Sequence, residues 1–198
     1  MFELHPYWHV RRVIQSVNGV ASIPFSYYCY EPRTVADARH IFYVSKAQFA
    51  DPSFIVDLMA GTPLHHELAL HSDLRMTDGS VRHLSMIDMA TSARAHLMKL
   101  EGFLQSAVPQ PFIWFESGRS FHGYGTDLLN TQSWVKFMGL LLLANAPRFD
   151  ATVDPRWIGH RLLAGYSALR WTKNTSNYVG LPRRIHTGRQ SWTLFSAD

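Results

Sequence analysis

Between Leu68 and Ala107 the apolar residues change period, and this most constrains the fold. Leu68 to Leu74 and Val81 to Met89 alternate apolar and polar side chains, the period of a strand. Thr77-Asp78-Gly79-Ser80 separates the two runs, and Asp-Gly is a strong hairpin signal. The second strand is read as ending at Asp88. Ala93, Leu97, Leu100, Phe103 and Leu104 then fall at three-to-four spacing across Thr91 to Ala107, which predicts an amphipathic helix capped by Thr91 or Ser92. A hairpin that runs straight into such a helix excludes an all-helical or an all-strand chain.

The remaining segments extend the pattern. Val10 to Ile14 and Phe25 to Tyr30 read as strands, and Thr34 to Phe49 as a helix that gives way to a strand at His40 to Val44. Asp51-Pro52-Ser53 opens a short helix, Phe54 to Ala60, closed by Gly61 and Pro63. Pro109 and Pro111 stop the helix after Asp88, and Phe112 to Phe115 forms a short aromatic strand leading into a turn and a further strand from Glu116 to Tyr124. Thr131 to Ala146 is a helix with Trp134, Phe137, Met138, Leu141 and Leu142 on its buried face. Asp154-Pro155 opens a helix or broken helix that leads to a last strand and loop, Leu169 to Leu181. Strands with interposed helices predict an α+β fold, with helices flanking a mixed or antiparallel sheet. With no internal repeat and no Gly/Ser-rich linker, one domain spanning 1–198 is expected.

Composition narrows the class. A chain of 198 residues with 46% hydrophobic and 17% charged residues buries a core and is not intrinsically disordered. The lone Cys29 permits no internal disulfide and no Cys-x-x-Cys metal or redox pair, so it is expected to be a small buried hydrophobe. The first residues, with His5, Pro6, Trp8, His9, Arg11 and Arg12, lack the apolar stretch of a secretory signal. The longest apolar run, Phe137 to Ala146, is about half of the ~20 residues that a membrane helix needs. A soluble, cytoplasmic protein without a membrane partner is the expectation.

Nineteen Lys and Arg against 15 Asp and Glu leave a net charge of +4, and the excess is concentrated late. From Arg148 onward Arg156, Arg161, Arg170, Lys173, Arg183, Arg184 and Arg189 face only Asp150, Asp154 and Asp198. Trp157, Tyr166, Trp171, Tyr178 and Trp192 are interleaved among them. Guanidinium groups pair with phosphate oxygens and aromatic rings stack on bases, so Arg161, Trp171, Arg183 and Arg184 are candidate nucleic-acid contacts. A basic surface over an aromatic core fits the same composition.

Three polar sites end apolar segments: Asp88, the stretch Ser117 to His122, and Asp154. Carboxylates from separate strands can converge on Mg²⁺ or Mn²⁺, whose remaining positions are filled by water and substrate phosphates. Ser-Gly-Arg-Ser-Phe-His offers a backbone open to phosphate, a cation and a neutral donor. His65-His66-Glu67 with His71 lacks a zinc-helix signature and reads as a solvated strand face or a nucleic-acid contact. No P-loop, dinucleotide fingerprint or serine-hydrolase elbow is present.

Taken in order, these features resemble the archaeo-eukaryotic primase superfamily, the primase-polymerases. The matching order is strand-Asp88, helix, aromatic strand with Ser117-Gly118-Arg119-x-x-His122, helix, Asp154-Pro155, then Leu169-Arg170-Trp171-Thr172-Lys173. The resemblance covers about 84–185, within a motif-bearing core of about 81–185. It implies an RRM-like catalytic core in which Asp88 and Asp154 hold Mg²⁺ or Mn²⁺ and serve nucleotidyl transfer. It further implies that Ser117 and His122 contact the phosphates of a nucleoside triphosphate, with Arg119, Arg170 and Lys173 as further nucleotide contacts. The partners implied are a nucleoside triphosphate, a single strand or primer-template, and a partner protein, in replication, repair, or a mobile-element or antiviral system. The sequence departs from the family at Ala90, where a second acid is usual, and at Ser120, where glycine is usual. Glu116 is a substitute only if it turns inward, against the alternation from Ser117, and Asp150 competes with Asp154. The missing acid gives an alternative reading: a catalytically degenerate primase fold that binds nucleotide or nucleic acid without turnover.

Overall fold

The structure is a computed structural model that describes residues 2–31 and 34–187. The basic, aromatic and acidic positions Arg189, Trp192 and Asp198 lie outside the described residues. Strand β1 (Val20–Tyr28) pairs along one edge with β2 (Arg39–Ser45). Along its other edge it pairs first with β3 (Glu67–His71) and then with β4 (Asp73–Met76). Beyond β3 lies β8 (Ala168–Arg170); beyond β4 the sheet continues through β5 (Val81–Asp88), β7 (Phe121–Asn130), β6 (Phe112–Glu116) and β9 (Arg183–Arg184). Every pairing is antiparallel. The expected α+β fold is therefore observed.

The sheet forks at Ser72, which interrupts the strand run between β3 and β4. Its N–H donates to the Ser167 carbonyl at 2.8 Å, and its carbonyl accepts from Leu84 N–H at 2.9 Å. Its Oγ accepts from Ser167 N–H at 2.8 Å and lies 3.2 Å from His83 Nδ1. One buried serine thus bonds to the segments entering both β8 and β5.

Alternation along the strands sorts the core into two layers. Leu84 and Met86 join Phe25, Leu68, Leu70 and Trp171 under helices α1 (Tyr7–Ser16), α2 (Lys46–Ala50) and α3 (Pro52–Ala60). Ile87, one residue on, faces the opposite layer, where Trp114, Trp134, Met138, Leu141 and Ile158 pack with α4 (Arg94–Ala107), α5 (Thr131–Leu143) and α6 (Pro155–Ala164). Burying side chains of this size contributes roughly 2 kcal/mol each.

Several local expectations are corrected. Val10 to Ile14 is helical, because Tyr7, Val10, Val13 and Ile14 share one buried helix face. The helix expected from Thr34 is not formed, since 34–38 is irregular up to the start of β2. Helix α4 starts at Arg94 after Ala93, with Thr91 Oγ1 accepting from Ala93 N–H. Helix α5 ends at Leu143, and Leu142 is exposed. Cys29 is exposed, not buried. Glu67 is fully buried rather than solvated: it accepts from Thr172 Oγ1, Asn174 N–H, Thr175 N–H and Thr175 Oγ1 at 2.6–2.9 Å.

Five imidazoles enter this fold with depressed basicity. Burial holds His5, His9 and His83 down to about 4 and His71 to about 3, and takes His122 well below its ordinary value. The unfolded chain gains protons near pH 6.5 that the fold refuses, so these groups remove stability as pH falls from about 6.5 toward 4. Asp73 and Asp88, raised by burial to about 6 and about 7, act in the opposite sense over much of that window, and the histidines outnumber them. Acid unfolding is therefore expected with a midpoint above pH 4, followed by tryptophan fluorescence and far-UV circular dichroism. A native signal that persists to pH 3 contradicts it.

Candidate functional site

Two strands and one helix start converge on Asp88. It ends β5 opposite His122 of β7, and its Oδ1 lies 3.7 Å from His122 Nε2 and 3.4 Å from Ser120 Oγ. The Asp88 carbonyl accepts the N–H of Asp154 at 3.0 Å, and Met89 bridges to Val153. This backbone stitch brings the second acid beside the first. Asp154 Oδ1 also caps α6, accepting from Arg156 N–H at 2.8 Å and Trp157 N–H at 3.1 Å. Asp-Pro reads as a helix start for this reason: the carboxylate satisfies free N–H groups, and proline needs none at the first turn.

The turn between β6 and β7 is held by Ser117, whose N–H donates to the Ser120 carbonyl at 2.9 Å and whose hydroxyl lies 3.0 Å from Ser120 Oγ. Gly118 has φ +102°, and a Cβ there would stand 2.8 Å from Val179 Cγ2, so only glycine fits. Arg170, buried on β8, donates to the carbonyls of Ser117 at 2.7 Å, Gly180 at 3.1 Å and Thr172, and lies 4.0 Å over the Tyr178 ring. It ties the Ser-Gly-Arg turn to the segment after β8.

These elements wall a cavity of 290 Å³. Asp88 and Asp154 line it together with Ser117, Arg119, His122, Arg161 and Arg170. Arg39, Arg156, Tyr28, Tyr30 and Tyr178 complete much of the lining. Asp37 is paired with both Arg39, at 2.9 Å, and Arg161. Burial acts to raise the Asp37 carboxyl, but the bonds and charges of Arg39 and then Arg161 outweigh it and hold it below its ordinary value. Asp88, with a side chain 24% exposed, is pushed up to about 7, first by burial and next by the charge of Asp154. His122 is neutral: burial and then Arg170 lower it, and its Nδ1 has no partner among the described residues.

Five expected positions lie elsewhere. Trp171 is 0% exposed and bonds to Tyr124 Oη through its indole N–H, so no base can stack on it. Leu169 and Trp171 face the core while Arg170 between them faces the cavity; strand alternation separates what composition had grouped. Lys173 is exposed and does not line the cavity. Arg183 pairs with Glu116 at 2.8 Å on the β6–β9 edge, which also turns Glu116 away from Asp88, and Arg184 follows on the same edge strand. Asp150 is exposed outside the cavity. The Arg161 side chain is buried in its ion pair with Asp37 rather than displayed on a surface groove. Asp37 and Arg39 carry no local signal, since the pairing of Asp37 depends on Arg161, more than a hundred residues away.

Among the described residues no group of three His, Cys, Asp or Glu is arranged to hold a metal ion. The residues present still fit one hard divalent cation: two carboxylates line one cavity, and burial, with the charge of Asp154 after it, raises Asp88. Ala90 is exposed and does not line the cavity.

A family model described as archaeo-eukaryotic primase 1D-like matches residues 53–183, well over half of the sequence. The chain belongs to the archaeo-eukaryotic primase 1D-like family. None of the curated proteins matches it. In this primase-like chain the family match takes in both acids, the Ser-Gly-Arg turn, β8 and Arg183, and the structure brings all but the last of these around one cavity.

A buried carboxyl raised above its unfolded value stabilises the fold fully only below about pH 4, and that contribution is lost as pH rises through about 7. Asp88→Asn keeps the shape and removes the charge. It is expected to raise Tm by a few degrees at pH 8, with the gain vanishing near pH 4, in thermal melts without divalent cation. An equal or lower Tm at pH 8 contradicts the strained-carboxylate account.

Proposed function

We propose that this primase-like chain binds a nucleoside triphosphate together with Mg²⁺ or Mn²⁺ and uses it for nucleotidyl transfer to nucleic acid. The observation that carries the reading is the polarity of the cavity: two adjacent carboxylates, Asp88 and Asp154, at one place, and around the rest five guanidinium groups, Arg39, Arg119, Arg156, Arg161 and Arg170, which outnumber the other lining acids, Glu31 and Asp37. A divalent cation suits the acids and a polyphosphate suits the guanidinium groups.

Asp88 and Asp154 would hold the cation, which when bound neutralises phosphate charge and polarises the reacting oxygens. The neutral His122, with an unpartnered Nδ1, offers a hydrogen bond to a phosphate oxygen without adding charge beside Asp88. Arg161 keeps Nη1 unpartnered for the same use. Arg170 acts as a positioning residue, because its donors hold the Ser117 and Gly180 carbonyls and so fix the turn. Tyr30 and Tyr178, whose ring centroids are 6.4 Å apart, supply aromatic surface for the base. Transfer is attack of a 3′-hydroxyl on the α-phosphate with release of pyrophosphate, and the residues contribute mainly position and electrostatics. Exposed Lys173 and Arg119 would serve strand phosphates, with the salt sensitivity that such contacts carry. Replication, repair or defence against foreign elements, inside the cell, is the setting this reading implies. Among the described residues no helix is long and apolar enough to cross a membrane.

The second reading, binding without turnover, is favoured by Ala90 and by the commitment of Asp154 to capping α6. Both are tested by incorporation of labelled nucleotides on primed and unprimed single strands with Mg²⁺ or Mn²⁺, beside calorimetric triphosphate binding. The expected result is metal-dependent binding and incorporation, the latter reduced at least a hundredfold in Asp88→Ala. Metal-dependent binding with a silent wild type, and incorporation gained by Ala90→Asp, selects the second reading. Incorporation by Asp88→Ala at the wild-type rate, or no metal-dependent binding at all, overturns both.

A further inference from the structure

A second cavity, of 340 Å³, lies outside the site described above, lined by His71, Asp73, Arg75, Tyr43 and Tyr166 among others. Two of its buried side chains are left incomplete: His71 Nδ1 and Asp73 Oδ1 have no hydrogen-bond partner among the described residues. They stand 3.8 Å apart, too far to satisfy each other. A fold seldom buries such atoms unpaired unless something else completes them.

The hydrogen-bond pattern assigns their chemistry. Arg39 donates to Ser26 Oγ at 3.2 Å, and Ser26 Oγ lies 2.7 Å from His71 Nε2. Arg39 has no acceptor to offer, so among the described residues the Ser26 hydroxyl proton has only Nε2 to go to. The ring proton of neutral His71 is then on Nδ1, which is a donor. Asp73 Oδ2 accepts from Arg75 at 3.1 Å, leaving Oδ1 as a free acceptor. A donor and an acceptor stand side by side. Tyr166 stacks on His71 at 4.2 Å, and exposed Tyr43 lies under the Arg75 guanidinium at 5.8 Å. In contrast with the arginine-rich first cavity, this one offers a single guanidinium, which does not suit a polyphosphate.

We propose that this second cavity binds a nucleobase, a planar heterocycle whose adjacent ring acceptor and exocyclic N–H meet His71 Nδ1–H and Asp73 Oδ1 while Tyr43 at the rim provides aromatic surface. The base arrives either as a free nucleoside or as a residue of a single strand. The inference does not rest on metal binding or on turnover at the first cavity. The two cavities are joined by a chain of contacts, since Arg161 of the first lies 5.5 Å over the Tyr166 ring of the second.

The test is calorimetric binding of adenosine to the full chain in chelator, with 8-azidoadenosine photolabelling to locate it. Asp73→Ala and N6,N6-dimethyladenosine, which lacks the exocyclic N–H, are each expected to weaken binding at least about tenfold. Tyr43→Ala, a change at an exposed rim position that does not endanger folding, is expected to weaken it several-fold. Adducts are expected on peptides carrying Tyr43 or Tyr166. If oligo(dA) binding depends on Asp73 while free adenosine does not bind, the base enters as part of a strand and the recognition stands. Adducts confined to Tyr28, Tyr30 or Tyr178, or no dependence on Asp73 and Tyr43 for either probe, overturns the proposal. That result would leave metal-dependent triphosphate binding at the first cavity untouched.

Discussion

The fork at Ser72 is the constraint from which the rest of the structure follows. Up to Ser72, β5 is paired with β4; beyond it, the place beside β3 is taken by β8, and β5 must leave. Both strands run antiparallel to the same β3–β4 line, so they head the same way from the fork without pairing. Leu84 and Ser167 are each bonded to Ser72, whereas Asp88 lies four residues farther along β5 and Arg170 three farther along β8. The two strands open a wedge, and the first cavity lies at its mouth with an acid on one side and a guanidinium on the other. A residue that bonded to only one strand would leave the other free to close the wedge. Ser72 has a backbone donor, a backbone acceptor and a short hydroxyl, and it uses all three.

What was legible in the sequence was what local physics decides. The hairpin around Asp78-Gly79, the helix capped by Asp51, the two helices beyond Asp88 and the α6 start at Asp154-Pro155 all carry their signals within a few residues. Asp88, Ser117, His122 and Asp154 were singled out by their order along the chain and its resemblance to a family pattern, and the structure places all four around one cavity. Helix α1 was not, because three β-branched residues in a short run match strand propensity, and only the sheet beneath selects the helical spacing of Tyr7, Val10 and Ile14. Asp37 and Arg39 were invisible because an isolated Asp-Ala-Arg in a loop has no meaning until Arg161 arrives from α6. Glu67 was misread for the complementary reason. A carboxylate between histidines looks solvated, yet it is the anchor on which the segment after β8 hangs by four bonds.

Arg170 shows how a charge can act on a site without touching a ligand. Its Nη donors are taken by carbonyls, and this fixes the turn that carries Ser117 and the loop that carries Tyr178. Its field also helps keep His122 neutral, since a second cation beside buried Arg170 is costly. A neutral imidazole leaves Asp88 without a counter-ion at 3.7 Å, and the nearby Asp154 adds repulsion. The strain at Asp88 is thus a product of several elements rather than of one bad contact.

That strain gives Ala90 a physical meaning. A third carboxylate turned toward Asp88 and Asp154 would add repulsion where burial, and after it the charge of Asp154, already push Asp88 up to about 7. The alanine at this position is exposed, has its N–H bonded to the Thr152 carbonyl, and adds no such charge. On the proposed reading the site would take a single cation carried in with the phosphates, and the surrounding guanidinium groups would supply part of the remaining charge balance.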